Sequence, residues 1–169
     1  RPCPRTPWWW PRWMGCSDYS AQVLASLGAV VKTGASPETF DGVAVLNAGR
    51  GDCLFMALAG SVGLSHAALR SRLMNAVRSR SNYTVGNTAL GRLIYHQFNL
   101  GVSDYIDKLR RPKVWGGLIE IVTFSLEFER RVEVYSSSRS GTFVLVWAIG
   151  DQTLPVTRIV YNGTHFEAL

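Results

Sequence analysis

Apolar residues recur at helical spacing through the middle of the chain and gather into short extended runs towards its end. Cys53 to Ala59 (CLFMALA) is a short apolar stretch closed by Gly60, and it predicts a helix. Ser65 has the chemistry of an N-cap for a second helix, along which Leu69, Leu73 and Val77 recur at four-residue steps while Arg70, Arg72, Arg78 and Arg80 take other faces. A third helix is predicted over Thr88 to Phe98, stopped by Asn99 to Gly101, and a fourth over Asp104 to Arg111, capped by Ser103 and terminated by Pro112. The fifth is Leu118 to Phe128. Strands follow at Arg131 to Tyr135, Thr142 to Ile149 and Val156 to Tyr161, separated by a Ser-rich turn (Ser136 to Gly141) and a Gly150-Asp151 turn. A last extended stretch runs from His165 to Leu169. Helices segregated from a mostly antiparallel sheet define an α+β domain.

The first 20 residues follow neither pattern. Pro2, Pro4, Pro7 and Pro11 interleave with Trp8, Trp9, Trp10 and Trp13, so no helix can run through them, and the segment reads as an extended N-terminal arm, or a linker remnant, ahead of a domain spanning residues 21–169. A short helix is predicted from Ser20 to Val31 and a loop over residues 34–42. The chain does not begin with Met, which leads us to expect a piece of a longer protein.

Composition narrows the classes. At 169 residues, with 47% hydrophobic and 18% charged residues, the chain has enough apolar surface to order most of itself without metal or disulfide staples. Its longest apolar runs, such as Phe143 to Ile149, fall far short of the roughly 18 to 20 residues that cross a bilayer, so membrane insertion is not expected. The net charge of +6 comes almost wholly from arginine, but the charges are scattered, which argues against a nucleic-acid partner. Cys3, Cys16 and Cys53 are an odd number without a CxxC pair, so no metal site or disulfide framework is expected, and a cytoplasmic, reducing location is.

Cys53 is the first candidate for chemistry. It follows the loop Gly49-Arg50-Gly51-Asp52 and opens an apolar helix, where free backbone N–H groups can stabilise a thiolate and hold an oxyanion. A buried cysteine acting as a small hydrophobe is the plain alternative. A nucleophilic thiol needs a base, and the chain offers His66, His96 and His165. The first two lie inside helical stretches and read as ordinary surface or core histidines. His165 follows a strand and a tight Asn162-Gly163 turn, and Glu167, two residues on, shares its face in an extended chain, the orienting arrangement of a Cys-His-acid triad.

Gly51-Asp52-Cys53-Leu54-Phe55, followed by a small-residue helix, resembles the nucleophile motif of the ovarian-tumour (OTU) family of cysteine proteases. Three further segments resemble that family in order: Tyr105-Ile106 through Trp115-Gly116-Gly117 to Glu120, the edge strand Glu133-Val134-Tyr135, and Ile159 to Asn162 with His165-Phe166 up to Leu169. The resemblance spans residues 44–169. It implies a papain-like OTU fold and a cofactor-free thiol protease acting after the C-terminal glycine of ubiquitin. Cys53 would be the nucleophile, His165 the base, Glu167 its orienting acid, Arg50, Gly51 and Asp52 the oxyanion loop, and Trp115, Gly116 and Gly117 a wall of the channel for the ubiquitin tail. Partners would be ubiquitin or ubiquitinated proteins, with ubiquitin-like modifiers as a further class.

Two positions depart from the family. Arg50 stands where the family carries Asp, three residues before the nucleophile, so that carboxylate cannot hold the oxyanion loop; Arg50 would donate to developing negative charge or point into solvent. Glu167 replaces the usual Asp or Asn. Compact size and relaxed motifs resemble the OTU domains of RNA-virus polyproteins, which would place the protein in a host cytoplasm and leaves polyprotein processing, or a weakened ubiquitin-binding module, as alternative functions. Arg50-Gly51-Asp52 also spells an adhesion tripeptide, and Asn82 and Asn162 fit the glycosylation pattern. Both matches are read as coincidental.

Overall fold

The computed structural model describes residues 38–85, 88–137 and 142–169. The N-terminal arm, the helix expected at Ser20 to Val31, Cys3 and Cys16 lie outside the described residues.

The helices occupy the middle of the chain: α1 (Cys53–Ala59), α2 (His66–Ser79), α3 (Leu90–Phe98), α4 (Val102–Leu109) and α5 (Leu118–Phe128). A 3₁₀ turn, Gly60–Val62, continues α1. The strands are β1 (Thr39–Phe40), β2 (Thr84–Val85), β3 (Thr88–Ala89), β4 (Arg131–Ser137), β5 (Phe143–Ile149), β6 (Val156–Tyr161) and β7 (Phe166–Ala168). Five of them form one sheet in the order β1-β5-β4-β6-β7, and β2 pairs with β3 apart from it. Every neighbouring pair in the large sheet is antiparallel except β4 and β6, which run parallel because β5 intervenes in the chain between them. The expected α+β class is the observed one, and no single described helix is long and apolar enough to cross a membrane.

Helices α1 and α5 have the expected bounds, because Gly60 and the Gly116-Gly117 pair punctuate them sharply. Ser65 caps α2 as expected, its hydroxyl accepting from the Ala68 amide at 3.2 Å. Other expectations shift. Thr88 and Ala89 pair with β2, so α3 begins only at Leu90. Helix α4 starts at Val102 behind Gly101, which puts Ser103 inside the helix instead of at its cap, and it ends at Leu109, before Pro112. Thr39 and Phe40, expected in a loop, pair with Val144 and Phe143 of β5. The segment Glu133-Val134-Tyr135, expected at an edge, sits in the central strand, where the buried Glu133 carboxylate accepts from Arg131 Nε (3.0 Å) and the Tyr135 hydroxyl (2.9 Å) and lies 3.2 Å from Arg158 Nε. Burial and this carboxylate push the Tyr135 hydroxyl up to about 12.

Helix α1 is short and apolar on nearly every side, and it is correspondingly buried: it packs on β6 and β7 on one side and on α2 on the other. Leu54, Phe55 and Leu58 are all but inaccessible. Its first residue is thereby placed at the junction of helices and sheet. Truncating this contact is expected to be costly. Leu58→Ala should lower stability by about 2–5 kcal/mol, whereas Leu46→Ala, at 83% exposure, should change it by less than ~0.5 kcal/mol, both read from urea denaturation midpoints.

Candidate active site

The loop before α1 is unusually tight. Gly49, Arg50 and Gly51 all have positive φ (64°, 44° and 94°), and the Asp52 amide closes the turn onto the Gly49 carbonyl at 2.9 Å. Two of the three positions require glycine for a second reason as well. A Cβ on Gly51 would lie 2.0 Å from the Lys113 carbonyl oxygen, and one on Gly49 would lie 2.6 Å from Cε1 of His165. Both neighbours touch the loop backbone. Arg50 is the one residue of the three with a side chain, in a conformation costing about 1–2 kcal/mol for an L-residue. That side chain is exposed.

Asp52, by contrast, faces inward. Its Oδ1 accepts from Arg70 Nη2 at 2.5 Å, and its two oxygens lie 3.2 and 3.3 Å from the donating Lys113 amide. Arg70 is 4% exposed. It also donates to the carbonyls of Leu109 (2.7 Å), Val114 (2.9 Å) and Gly51 (3.3 Å), and its guanidinium lies 3.8 Å from the Phe55 ring centroid. Burial alone would raise the Asp52 carboxyl, but the bonds from Arg70 and the Lys113 amide, with the positive charges of Arg70 and His66, bring it below its ordinary range. The Arg50-Gly51-Asp52 tripeptide is thus unavailable for adhesion: its glycine lies under Lys113 and its aspartate is sequestered.

Cys53, a buried free thiol, begins α1 directly after this loop. His165 approaches from the other end of the chain. It sits in the turn between β6 and β7, where Asn162 Oδ1 accepts from the amides of His165 (2.9 Å) and Thr164 (3.1 Å), the Asn162 amide donates to the His165 carbonyl, and Gly163 has φ 104°. Asn162 therefore folds the histidine turn. The imidazole is half-buried, with Nδ1 and Cε1 on the Gly49 side and Nε2 3.7 Å from Glu167 Oε1. That is ion-pair distance, longer than a hydrogen bond. His66 lies at the start of α2 and His96 is exposed on α3 against Tyr95, so neither joins this group.

The Trp115-Gly116-Gly117 loop passes beside α1. A Cβ on Gly116 would meet Leu54 and Phe55 at 3.0 Å, so the missing side chain at this position faces the α1 packing surface. The Gly117 amide donates to Glu120 Oε2 at 2.7 Å, and the Tyr105 hydroxyl donates to Oε1 of the same carboxyl at 2.6 Å. Burial pushes Glu120 up, with those two bonds opposing the shift. Trp115 is 59% exposed and is no core residue. Among the described residues no group of three His, Cys, Asp or Glu side chains stands together as a metal site.

The sequence model of the OTU-like cysteine proteases matches residues 48–165, from the loop before Cys53 to His165. The chain belongs to the OTU family. A search of the curated proteins gave no match. Among solved structures, the OTU of Hazara virus bound to ubiquitin is 18% identical with a TM-score of 0.64, covering 83% of this chain and 94% of that one. The viral OTU domain protease of Taggert virus is also 18% identical, with a TM-score of 0.61 and coverage of 79% and 84%. An OTU deubiquitinase of Wolbachia pipientis bound to ubiquitin is 16% identical, with a TM-score of 0.52 and coverage of 75% and 94%. At such identities the likeness is one of fold.

In this OTU domain the loop before the cysteine is anchored by the carboxylate adjacent to it, Asp52, instead of one three residues earlier. Its counter-ion, Arg70, expected on a face of α2 other than that of Leu69, Leu73 and Val77, is buried. A signal was present: residue 70 stands three, four and seven residues before the buried Leu73, Met74 and Val77, in register with the apolar stripe. Arginine there implies a buried acceptor set. Removing the cation with Arg70→Met should cost about 3–5 kcal/mol, because Asp52 keeps only the Lys113 amide and the Gly51, Leu109 and Val114 carbonyls lose their donor. Since Asp52 is lowered from 3.8, the unfolded chain binds more protons than the native one as acid is added. Its contribution is full above that value and is lost as pH falls through the depressed native one. Asp52→Asn should therefore flatten the acid limb of stability against pH, checked by urea midpoints from about pH 3 to 6.

Proposed function

We propose that this OTU domain hydrolyses the peptide or isopeptide bond after the C-terminal glycine of ubiquitin. The observation that carries the reading is the His165 imidazole, set between the Gly49 loop that leads into Cys53 and the Glu167 carboxylate. In this mechanism the Cys53 sulfur attacks the carbonyl carbon while His165 takes the thiol proton. Backbone N–H groups of Cys53, Gly51 and Arg50 receive the oxyanion, those of Gly49 and Asp52 being committed to Asn47 Oδ1 and the Gly49 carbonyl. Collapse of the tetrahedral species expels the lysine or α-amine, which takes its proton from His165, and leaves a thioester. Water, deprotonated by His165, then releases the ubiquitin carboxylate and frees the thiol. Glu167 keeps the ring oriented throughout.

Trp115, exposed beside α1, and Gly117 form a wall for the arriving tail in this reading, whereas Gly116 serves the packing of that wall on Leu54 and Phe55. The exposed Arg50 stands at the mouth. Support for ubiquitin as substrate comes from the ubiquitin-bound Hazara virus and Wolbachia domains of the same fold. The Hazara and Taggert virus domains of the same fold support a viral origin for the protein; a place in a polyprotein acting in a host cytoplasm is part of the same proposal.

An electrophilic ubiquitin probe should attach covalently to Cys53. Cys53→Ala should abolish both labelling and cleavage of a fluorogenic ubiquitin substrate, while Cys3→Ala and Cys16→Ala leave them intact; an active Cys53→Ala variant would end the thiol-protease reading. A parent that reacts with small alkylating agents and ignores the probe would exclude ubiquitin. Glu167→Gln should slow turnover less than His165→Ala, since the amide keeps the size and polarity of the side chain beside Nε2 but has lost its charge, and equal losses would make that charge indispensable.

A further inference from the structure

The two segments that carry Cys53 and His165 lie far apart in the chain, and a single side chain spans them. Asn47 Nδ2 donates to the carbonyl of Phe166, the residue after His165, at 2.8 Å. Asn47 Oδ1 accepts from the amide of Gly49, the residue against which the His165 ring rests, at 3.0 Å. Two residues earlier the Val45 amide donates to the Ala168 carbonyl at 2.8 Å. Phe166 and Ala168 are alternate residues of β7 at the margin of the sheet, so their carbonyls face the same way. Residues 45–47 thus run along this margin as a partial strand, in which the Asn47 carboxamide supplies the second donor and then turns its oxygen to the Cys53 loop.

We infer that Asn47 is a positioning residue that sets the separation between His165 and Cys53. This rests on the thiol-protease reading above but not on ubiquitin as the substrate. The carboxamide carries a donor and an acceptor on one rigid plane, and both are used. Aspartate retains the acceptor for Gly49 but has no donor for Phe166. Alanine retains neither. Because Gly49 touches the imidazole directly, slack at Asn47 passes to the distance and angle between ring and thiol, while the tail-binding face formed by Trp115 and Gly117 lies on the other loop.

The test compares the full chain with Asn47→Ala, Asn47→Asp and His165→Ala, measuring kcat and KM on a fluorogenic ubiquitin substrate and, independently, the rate at which iodoacetamide alkylates Cys53. Asn47→Ala should lower kcat about tenfold or more with KM within about twofold, as misplaced reacting groups do, and should slow alkylation towards the His165→Ala rate. Asn47→Asp, isosteric with the native side chain and keeping its acceptor for the Gly49 amide, should show the same split. A folded Asn47→Ala with parental kcat and alkylation rate, a loss confined to KM, or a fully active Asn47→Asp would overturn the inference. If the parent fails on ubiquitin but is alkylated, the ubiquitin proposal falls and the alkylation rates alone decide the role of Asn47.

Discussion

One buried ion pair organises the ground on which the site stands. Arg70, projecting from α2 into the core, ties Asp52 to the carbonyls of Gly51, Leu109 and Val114, and Asp52 in turn receives the Lys113 amide. Three segments distant in sequence are thereby held at fixed spacing: the loop before Cys53, the second helix, and the chain leaving α4 towards Trp115. A guanidinium suits this task, since its planar fork donates in several directions at once and its face can rest on the Phe55 ring. A lysine ammonium could not stack in this way. Taking two charges out of water is unfavourable, and their mutual attraction together with the surrounding carbonyls and amide offsets that cost only while every partner is present. The arrangement is therefore stiff, which a loop with three successive positive φ values requires.

The second constraint is contact without side chains. Gly51 lies beneath the Lys113 carbonyl, Gly49 beneath the His165 ring, and Gly116 against Leu54 and Phe55. In the first two cases the approach is closer than a Cβ would permit, and at Gly116 a Cβ would crowd the Leu54 and Phe55 side chains at 3.0 Å. Small residues here are the condition for bringing the candidate nucleophile, the candidate base and the Trp115 loop into one place. The same economy of space explains why α1 consists of so few residues and buries nearly all of them: it is the wedge between β7, which follows His165, and α2, which carries Arg70.

Buried carboxylates do different work at the two loops. Asp52 is held in its charged form by a cation, whereas Glu120 is pushed up by burial and is satisfied by the Tyr105 hydroxyl and the Gly117 amide. The first anchors the segment entering α1. The second anchors the segment entering α5, and with it the backbone that presents Trp115. Around this interior Arg50 and Trp115 are left exposed.

Local signals sufficed wherever an element begins or ends on its own chemistry. Gly60 closing α1, Ser65 capping α2, the Gly116-Gly117 pair preceding α5 and the β-rich stretch at Val156 to Tyr161 could all be read from neighbouring residues, and so could the order of motifs that pointed to Cys53, His165 and the family. What could not be read depends on partners remote in the chain. Thr39 and Phe40 are a strand only because β5 lies beside them, and the segment Glu133 to Tyr135 is central because β6 returns parallel to it after β5 has paired on its other side. Arg70 is buried because the Asp52, Leu109 and Val114 acceptors converge on it from three directions; its place on the apolar stripe signals the burial, but helical periodicity does not say which acceptors meet it. The bridge at Asn47 has the same origin. Its two hydrogen bonds end on Gly49 and Phe166, and only the packing of α1 against β7 brings those ends within reach of one carboxamide.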